Sequence, residues 1–180
     1  MILKSLVDIV KGCKRNERIS QEKLYRQFYP GLFALCRKFF DDEQDIITAL
    51  NNGMLNVYKN IDQYDSAKGE LFTWAYTIVR NAALTHLRNN SNKPLNVEIT
   101  GAIENAIGHN PFKELDWGGI YYFLGKLPPA TRAVCTLFYI EGFMIKEIAA
   151  QMELSEGTVK WHLNEGRTIL KKLLTKKDIY

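Results

Sequence analysis

Apolar residues in this chain recur at steps of three and four along nearly its whole length, and no segment alternates strictly between apolar and polar positions. The first spacing is typical of helices that bury one face, whereas strict alternation is typical of strands. The pattern predicts an all-α fold. We expect two small helical domains joined by a flexible linker, the second containing a helix-turn-helix.

The first half of the chain is predicted to form three helices after a short amphipathic segment. Ser20 is expected to cap a helix that runs to about Phe40 and is bent or interrupted at Pro30, because proline lacks a backbone donor. A run of three acids then begins a second helix, where acidic groups favour the positive end of the helix dipole. A third, long helix is predicted from Leu71 to about Asn90.

The helical pattern weakens in the middle of the chain. Residues 91–116 are polar, contain several Asn and Gly residues and are only weakly periodic, so they predict a linker. This gives a first domain at 21–90 and a second at 117–180, with residues 1–20 as an N-terminal extension.

The stretch from Gly142 to Leu174 predicts a helix-turn-helix. Two segments with helical apolar spacing flank a short turn, and the hydroxyl of Ser155 is expected to cap the second helix. From Lys160 to Lys177 there are six basic residues and one acid. A helix with one buried side and a polar, basic opposite side can enter a DNA major groove. An ordinary helical hairpin is the alternative.

Composition and charge narrow the function classes. The net charge of +4 permits nucleic acid as a partner without requiring it. The three cysteines are widely spaced, which favours reduced thiols, and charges interrupt the apolar N-terminus, which predicts neither signal peptide nor membrane span. We therefore expect a cytoplasmic protein. The histidines lie in separate segments and no phosphate loop or activated nucleophile is visible, so neither enzyme chemistry, a metal nor a cofactor is predicted.

Two long segments resemble the two domains of extracytoplasmic-function sigma factors. The segment from Leu24 to Arg88 is similar to the N-terminal domain of that family and includes the characteristic run FTWAYTIVRNAALTHLR. The segment LPPATRAVCTLFYIEGFMIKEIAAQMELSEGTVKWHLNEGRTILKKLL is similar to the promoter-binding C-terminal domain. Together they cover most of the chain. The resemblance implies an RNA polymerase sigma factor that directs core polymerase to specific promoters.

The resemblance also implies roles for residues of the first domain. This domain would dock on the polymerase clamp and help to open DNA at the minus-ten element. The polymerase-binding residues would be Asp45, Leu50, Asn51, Asn52, Met54 and Leu55. The residues binding minus-ten DNA would be Asp65, Ser66, Lys68, Trp74, Tyr76, Arg80, Asn81 and Arg88. Aromatic rings and cations suit this task, because unstacked bases stack on rings while cations follow the backbone.

The second domain would bind the minus-thirty-five element as duplex DNA. Its residues at this site would be Ser155, Glu156, Thr158, Lys160, Trp161, His162, Asn164, Arg167 and Lys171. Trp161 stands where the family usually has a small polar residue, and it could contact a thymine methyl group or pack on a partner domain. Glu153 stands where related domains often have glycine, which predicts a left-handed backbone conformation at the turn.

The partners implied by the resemblance are core RNA polymerase, promoter DNA and an anti-sigma factor, with no insertion into a membrane. A LuxR-type transcriptional regulator is the alternative, because LSEGTVKWHL fits that pattern nearly as well. Such a regulator would need a receiver or sensing domain with strands, and none is visible in the sequence. A catalytic or structural helical protein would have no effect on transcription from a promoter.

Overall fold

The fold is all-α, as predicted. A computed structural model describes residues 5–90, 111–112 and 116–177, and within these ranges every regular element is helical. The α-helices are α1 (Leu6–Lys14), α2 (Arg18–Arg37), α3 (Glu43–Lys59), α4 (Leu71–Asn90), α5 (Trp117–Leu124), α6 (Pro129–Cys135), α7 (Ile145–Met152) and α8 (Glu156–Lys177). A short 3-10 turn (Ile61–Gln63) follows α3, and a π-helical segment (Thr136–Ile140) follows α6. The predicted linker lies outside the described residues apart from 111–112 and Asp116.

The chain divides into two compact units. The first comprises Met1–Arg37 and Asp42–Ala83, and the second comprises Lys38–Asp41 and Leu84–Tyr180. In the described part of the chain, no helix combines the length and the apolar character needed to cross a membrane.

The start of α2 differs from the prediction. Ser20 lies inside the helix and is buried, because the backbone N–H groups of Ser20 and Gln21 already donate to Glu17 O at 3.0 Å. The expectation that Ser20 caps the helix was therefore wrong. Its hydroxyl instead donates to Glu17 Oε2 at 3.1 Å. The predicted interruption at Pro30 is also absent, since α2 continues through it. Proline removes only one ladder donor, and burial of the flanking apolar side chains holds the helix together.

In the first unit, α3 and α4 approach each other closely. Asp42 caps α3, its carboxylate accepting from the backbone N–H groups of Gln44 at 2.9 Å and Asp45 at 3.2 Å. Gly53 on α3 faces Val79 on α4, where an added Cβ would lie 2.8 Å from Val79 Cα. The backbones can therefore pack at this point only because residue 53 has no side chain. Around it the core is formed by Leu24, Leu32, Leu35, Leu50, Met54, Val57, Leu71 and Ala75.

In the second unit, α6, α7 and α8 form the predicted helix-turn-helix and its support. Pro129 occupies the first turn of α6, where a missing backbone donor costs nothing. Ser155 caps α8, its Oγ accepting from the Thr158 backbone N–H at 3.0 Å, which confirms the predicted cap. The core of this unit includes Val134, Leu137, Ile148, Met152, Val159, Leu163 and Leu170.

The joint between α7 and α8 has the predicted backbone conformation. Glu153 ends α7 with φ 56° and ψ 41°, in the left-handed region that glycine adopts freely. A residue with a Cβ pays about 1–2 kcal/mol to occupy that region. The joint therefore carries local strain at a residue whose side chain is largely exposed.

Segments from the first half of the chain also belong to the second unit. Lys38 Nζ lies 2.7 Å from Glu141 Oε1, and both side chains are about nine-tenths buried. Asp41 pairs with the guanidinium of Arg132, whose Nε donates to Leu124 O at 2.7 Å. The ion pairs hold residues 38–41 against the helices of this unit.

Candidate nucleic-acid interface

Trp74 lies near the start of α4 with its ring partly open to solvent. Its ring centroid is 5.6 Å from that of Tyr64, and the two planes are tilted by 50°. Tyr64 is itself fixed, because its hydroxyl donates to Gly69 O at 3.1 Å. Trp74 is thus a half-buried aromatic held beside the loop that precedes α4, rather than a fully buried core residue.

That loop presents the polar residues expected for a captured base. Asp65, Ser66 and Lys68 are all exposed. The Asp65 carboxylate accepts from the Ala67 backbone N–H at 2.9 Å, and Asp65 O accepts from the Lys68 N–H at 3.1 Å. These bonds close a tight turn directly after Tyr64, the residue whose ring packs on Trp74.

Further along α4, the remaining residues of the first unit form two rows at opposite edges of its exposed side, separated by the exposed Thr73 and Thr77. Asn81 is exposed and lies two turns beyond Trp74, so the two share a helix face. Tyr76 and Arg80 are four residues apart and half-buried, and the Tyr76 ring packs 6.0 Å from that of Phe72. The exposed side of α4 therefore combines aromatic, amide and cationic groups.

Arg88 is separated from this group. It lies in the second unit, where its Nη1 is 2.7 Å from Glu153 Oε1 and donates to Gln151 O at 3.2 Å. Seven of the eight residues expected at minus-ten DNA therefore lie on the first unit, whereas Arg88 lies in the second unit and pairs with Glu153.

The expected polymerase-binding residues fall on two sides of α3. Asn51, Asn52 and Leu55 are exposed, and Asp45 is half-buried in the first turn. Tyr25 donates its hydroxyl to Asn51 Oδ1 at 2.8 Å. On the opposite side, Leu50 and Met54 are 0% and 2% exposed. The expectation that these two face the polymerase was wrong. Because of the helical periodicity, their side chains point into the core together with those of the neighbouring buried residues of α3.

Two residues expected at minus-thirty-five DNA are also buried. Thr158 and His162 are each 3% exposed, because they lie on the side of α8 that packs within the second unit. A side chain enclosed in this way cannot contact a base edge, so both expectations are corrected. Thr158 instead completes the turn, its hydroxyl 2.9 Å from Ser155 Oγ.

His162 belongs to a buried polar group that sequence reasoning missed. Thr131 Oγ1 lies 2.9 Å from His162 Nδ1 and donates to Glu165 Oε2 at 2.5 Å. A hydroxyl has one proton to donate. Since that proton goes to Glu165, Thr131 accepts from the histidine and Nδ1 carries a hydrogen. No local signal indicates this group, because Thr131 is 31 residues from His162.

The other residues of α8 that were expected at minus-thirty-five DNA lie on its outer side. Glu156 and Lys171 are exposed, whereas Lys160, Trp161, Asn164 and Arg167 are half-buried. Arg167 donates to the Asn164 side-chain oxygen and, at 3.4 Å, to Leu163 O. This outer side carries three cations and one large aromatic ring, which suits a negatively charged duplex with apolar methyl groups in its groove. Among the described residues, no group of three or more metal-ligating side chains is present.

Family models match both halves of the chain. The model for sigma-70 region 2 matches residues 24–93, and the model for sigma-70 region 4 matches residues 119–170. The chain belongs to the sigma-70 family. It is an RNA polymerase sigma factor of the extracytoplasmic-function type, as predicted, and the comparisons give no support to a LuxR-type regulator.

Curated relatives match this sigma factor over nearly its full length. The ECF RNA polymerase sigma factor SigW of Bacillus subtilis is 23% identical, covering 92% of this chain and 94% of the relative. SigM of Mycobacterium tuberculosis is 25% identical, covering 95% and 85%. Among solved structures, the sigma factor RpoE of Bartonella quintana, in complex with the anti-sigma factor NepR, matches with a TM-score of 0.49 and 18% identity, covering 86% of this chain and 96% of that chain.

Proposed function

We propose that this sigma factor uses the exposed sides of three helices for three different contacts. The outer side of α3 docks on the polymerase clamp, the exposed side of α4 captures melted minus-ten DNA, and the outer side of α8 reads the minus-thirty-five duplex. The corresponding domains are residues 21–90 and 117–180, with 91–116 as the linker and 1–20 as an extension. The matches at 24–93 and 119–170 support this division.

The observation that carries the proposal is the composition of the exposed side of α4. Capturing a base that has left the stack requires a ring to stack on and polar groups to hold the strand. Trp74 supplies a supported ring, the turn at 65–68 supplies polar groups beside it, and Asn81 supplies an amide on the same helix face. A helix that served only to fill a core would not expose this mixture.

The proposed polymerase contact uses the accessible residues of α3 alone. Asn51, Asn52 and Leu55 lie on one exposed side, and Leu55 is an apolar residue with half its surface in solvent. An exposed leucine between amides is a suitable centre for a protein interface, because apolar surface drives association while the amides fix the register. Asp45 extends this side towards the start of the helix.

The outer side of α8 is proposed to bind duplex DNA through Lys160, Asn164, Arg167 and Lys171, with Glu156 and the Ser155 cap at the end that enters the groove. Cations at successive turns of a helix can contact phosphates along the groove and position the helix. We further propose that the chain acts in the cytoplasm, and that an anti-sigma factor holds it until polymerase competes, as the family resemblance implies.

Transcription in a defined system tests the proposal. Core polymerase is incubated with genomic DNA of the source organism, with and without the full chain, and the transcripts are sequenced. We expect a set of start sites that depends on the added chain. Absence of any such transcript would contradict the proposal.

A pair of matched variants tests the role of α4. Asn81→Ala should reduce transcript yield, whereas Asn89→Ala should not, although both are exposed asparagines of the same helix. Equal yields from the two variants would remove Asn81 from the DNA-binding face.

A further inference from the structure

Trp161 places a large apolar surface on the outer side of α8. It lies in the second turn of the helix and is half-buried. Its indole meets the imidazole of His162 at a centroid distance of 4.9 Å and an angle of 78°, an edge-to-face contact. Such contacts favour one orientation of the pair of rings.

The ring beneath Trp161 is itself fixed. His162 is 3% exposed and bonded to Thr131, and its neighbour Leu163 is fully buried. The indole therefore rests on a rigid support and loses little further freedom when a ligand contacts its open side. Because the side chain is already ordered, less of the binding free energy is lost in fixing its conformation.

The indole of Trp161 is expected to lean towards the N-terminal end of α8. Long side chains on a helix lean towards the preceding turn. For Trp161 that turn begins at Gly157, which has no side chain to cover the indole. Recognition helices contact base edges with their N-terminal residues. The apolar surface of Trp161 thus stands where base edges would lie.

In the major groove of DNA, the apolar group that distinguishes one base pair from the others is the methyl group of thymine. We propose that Trp161 recognises thymine at one position of the minus-thirty-five element by packing its indole against that methyl group. The proposal rests on the proposed duplex binding by α8. It assigns to this residue a choice of base, whereas Lys160 and Lys171 supply affinity without sequence preference.

Replacing thymine by deoxyuracil tests this directly, because the change removes the methyl group and leaves base pairing intact. A minus-thirty-five element is first selected from a randomised duplex library with holoenzyme formed from core polymerase and the full chain. Each thymine of the selected element is then replaced singly, and holoenzyme affinity is measured by competition. We expect one replacement to weaken binding about fourfold, the value of one methyl group in apolar contact.

Variants of the chain test whether the indole causes the loss of affinity for the deoxyuracil duplex. Trp161→Ala should bind the thymine and deoxyuracil duplexes equally, whereas Trp117→Ala, which removes an exposed tryptophan of α5, should keep the full difference. Trp161→Phe should retain part of it, which preserves the test if the alanine variant does not fold.

Three results would overturn the proposal. They are a selected element without an invariant thymine, no deoxyuracil effect at any position, or the same effect in wild type and Trp161→Ala. If DNA binding is intact but deoxyuracil has no effect, or has the same effect in Trp161→Ala, the indole would instead contact a protein partner. Failure of wild-type holoenzyme to select any element would count against the proposed function itself.

Discussion

His162 Nδ1 lies 2.9 Å from Thr131 Oγ1 in the buried contact between α6 and α8. The same hydroxyl donates to Glu165 Oε2, so one threonine serves two partners on the recognition helix. Buried polar groups of this kind fix one register between helices, because any slip leaves donors and acceptors unpaired. The orientation of α8 therefore depends on a residue of α6.

Removing this hydroxyl should destabilise the protein. Thr131→Val keeps the shape of the side chain but leaves His162 and Glu165 without their shared partner, at a cost of about 1–3 kcal/mol. Urea unfolding of the full chain measures the change. Thr168→Val, on the exposed side of α8, should stay within about 0.5 kcal/mol of wild type. Equal stability of the two variants would show that the buried bonds give no net stabilisation.

Glycine at residue 153 should stabilise the helix-turn-helix. Glu153→Gly relieves the left-handed strain of about 1–2 kcal/mol. The greater freedom of glycine in the unfolded chain destabilises the folded state by about 0.5–1 kcal/mol, which offsets part of this gain. It also removes the ion pair with Arg88, which is worth little because the glutamate is 72% exposed. We expect a small net rise in the thermal midpoint. Glu156→Gly, at the first residue of α8, should show no rise, and a fall for Glu153→Gly would contradict the strain argument.

The buried thiols should make stability fall at alkaline pH. Burial raises the pKa of Cys36 from its ordinary value of 9.0 to about 12, and that of Cys135 likewise to about 12. Above pH 9.0 the unfolded chain releases these protons while the native chain retains them until pH approaches 12. The free energy of unfolding should therefore be insensitive to these groups below that window and fall within it. Each thiol contributes up to about 1.4 kcal/mol per pH unit.

Urea unfolding at a series of pH values measures this slope. Cys36→Ala lowers stability at every pH by creating a small cavity, but it should also reduce the alkaline slope by the contribution of one thiol. An unchanged slope in this variant would contradict the assignment.

Trp74 should matter for melting rather than for folding. A ring stacked on a base contributes about 1–3 kcal/mol, so Trp74→Ala should lower open-complex formation by roughly 5-fold to 150-fold. Permanganate reactivity of unpaired thymines in the holoenzyme–promoter complex measures the open fraction. The helix signal in circular dichroism should stay at its wild-type level, as it should for the control Trp117→Ala. Loss of that signal in Trp74→Ala would assign the ring to the core.

The exposed cation at Lys171 should add a phosphate contact. Lys171→Ala should reduce the slope of log affinity against log salt by about 0.9 for duplex DNA of any sequence, because one fewer counterion is released. The holoenzyme and a minus-thirty-five duplex provide the measurement. Lys11→Ala, on α1 of the first unit, serves as the control and should leave the slope unaltered. If both variants behave alike, Lys171 lies off the DNA path.

Some local features of this chain could be predicted from sequence, whereas packing partners could not. The cap at Ser155 and the left-handed turn at Glu153 depend on a few adjacent residues, and the structure has both. His162 was assigned to DNA because of its position in the recognition helix. It is buried and bonded to Thr131 in another helix, and a single sequence does not indicate that pairing.

The same limit explains why Leu50 and Met54 of α3 were wrongly expected to contact the polymerase. Leu50 and Met54 fall within the segment that the family resemblance assigned to docking, but one helix presents residues to both core and solvent. Periodicity alone separates Leu55 from its buried neighbours. The pairing of Arg88 with Glu153 was also beyond prediction, since the two residues are far apart in sequence.

The missing side chain at Gly53 has a mechanical consequence. With backbone against backbone at Val79, no layer of adjustable side chains separates α3 from α4 at this point. The two helices should therefore move together at this point, and α4 carries Trp74. If polymerase docks on α3 as proposed, its position on that helix also fixes the position of the proposed melting residues on α4.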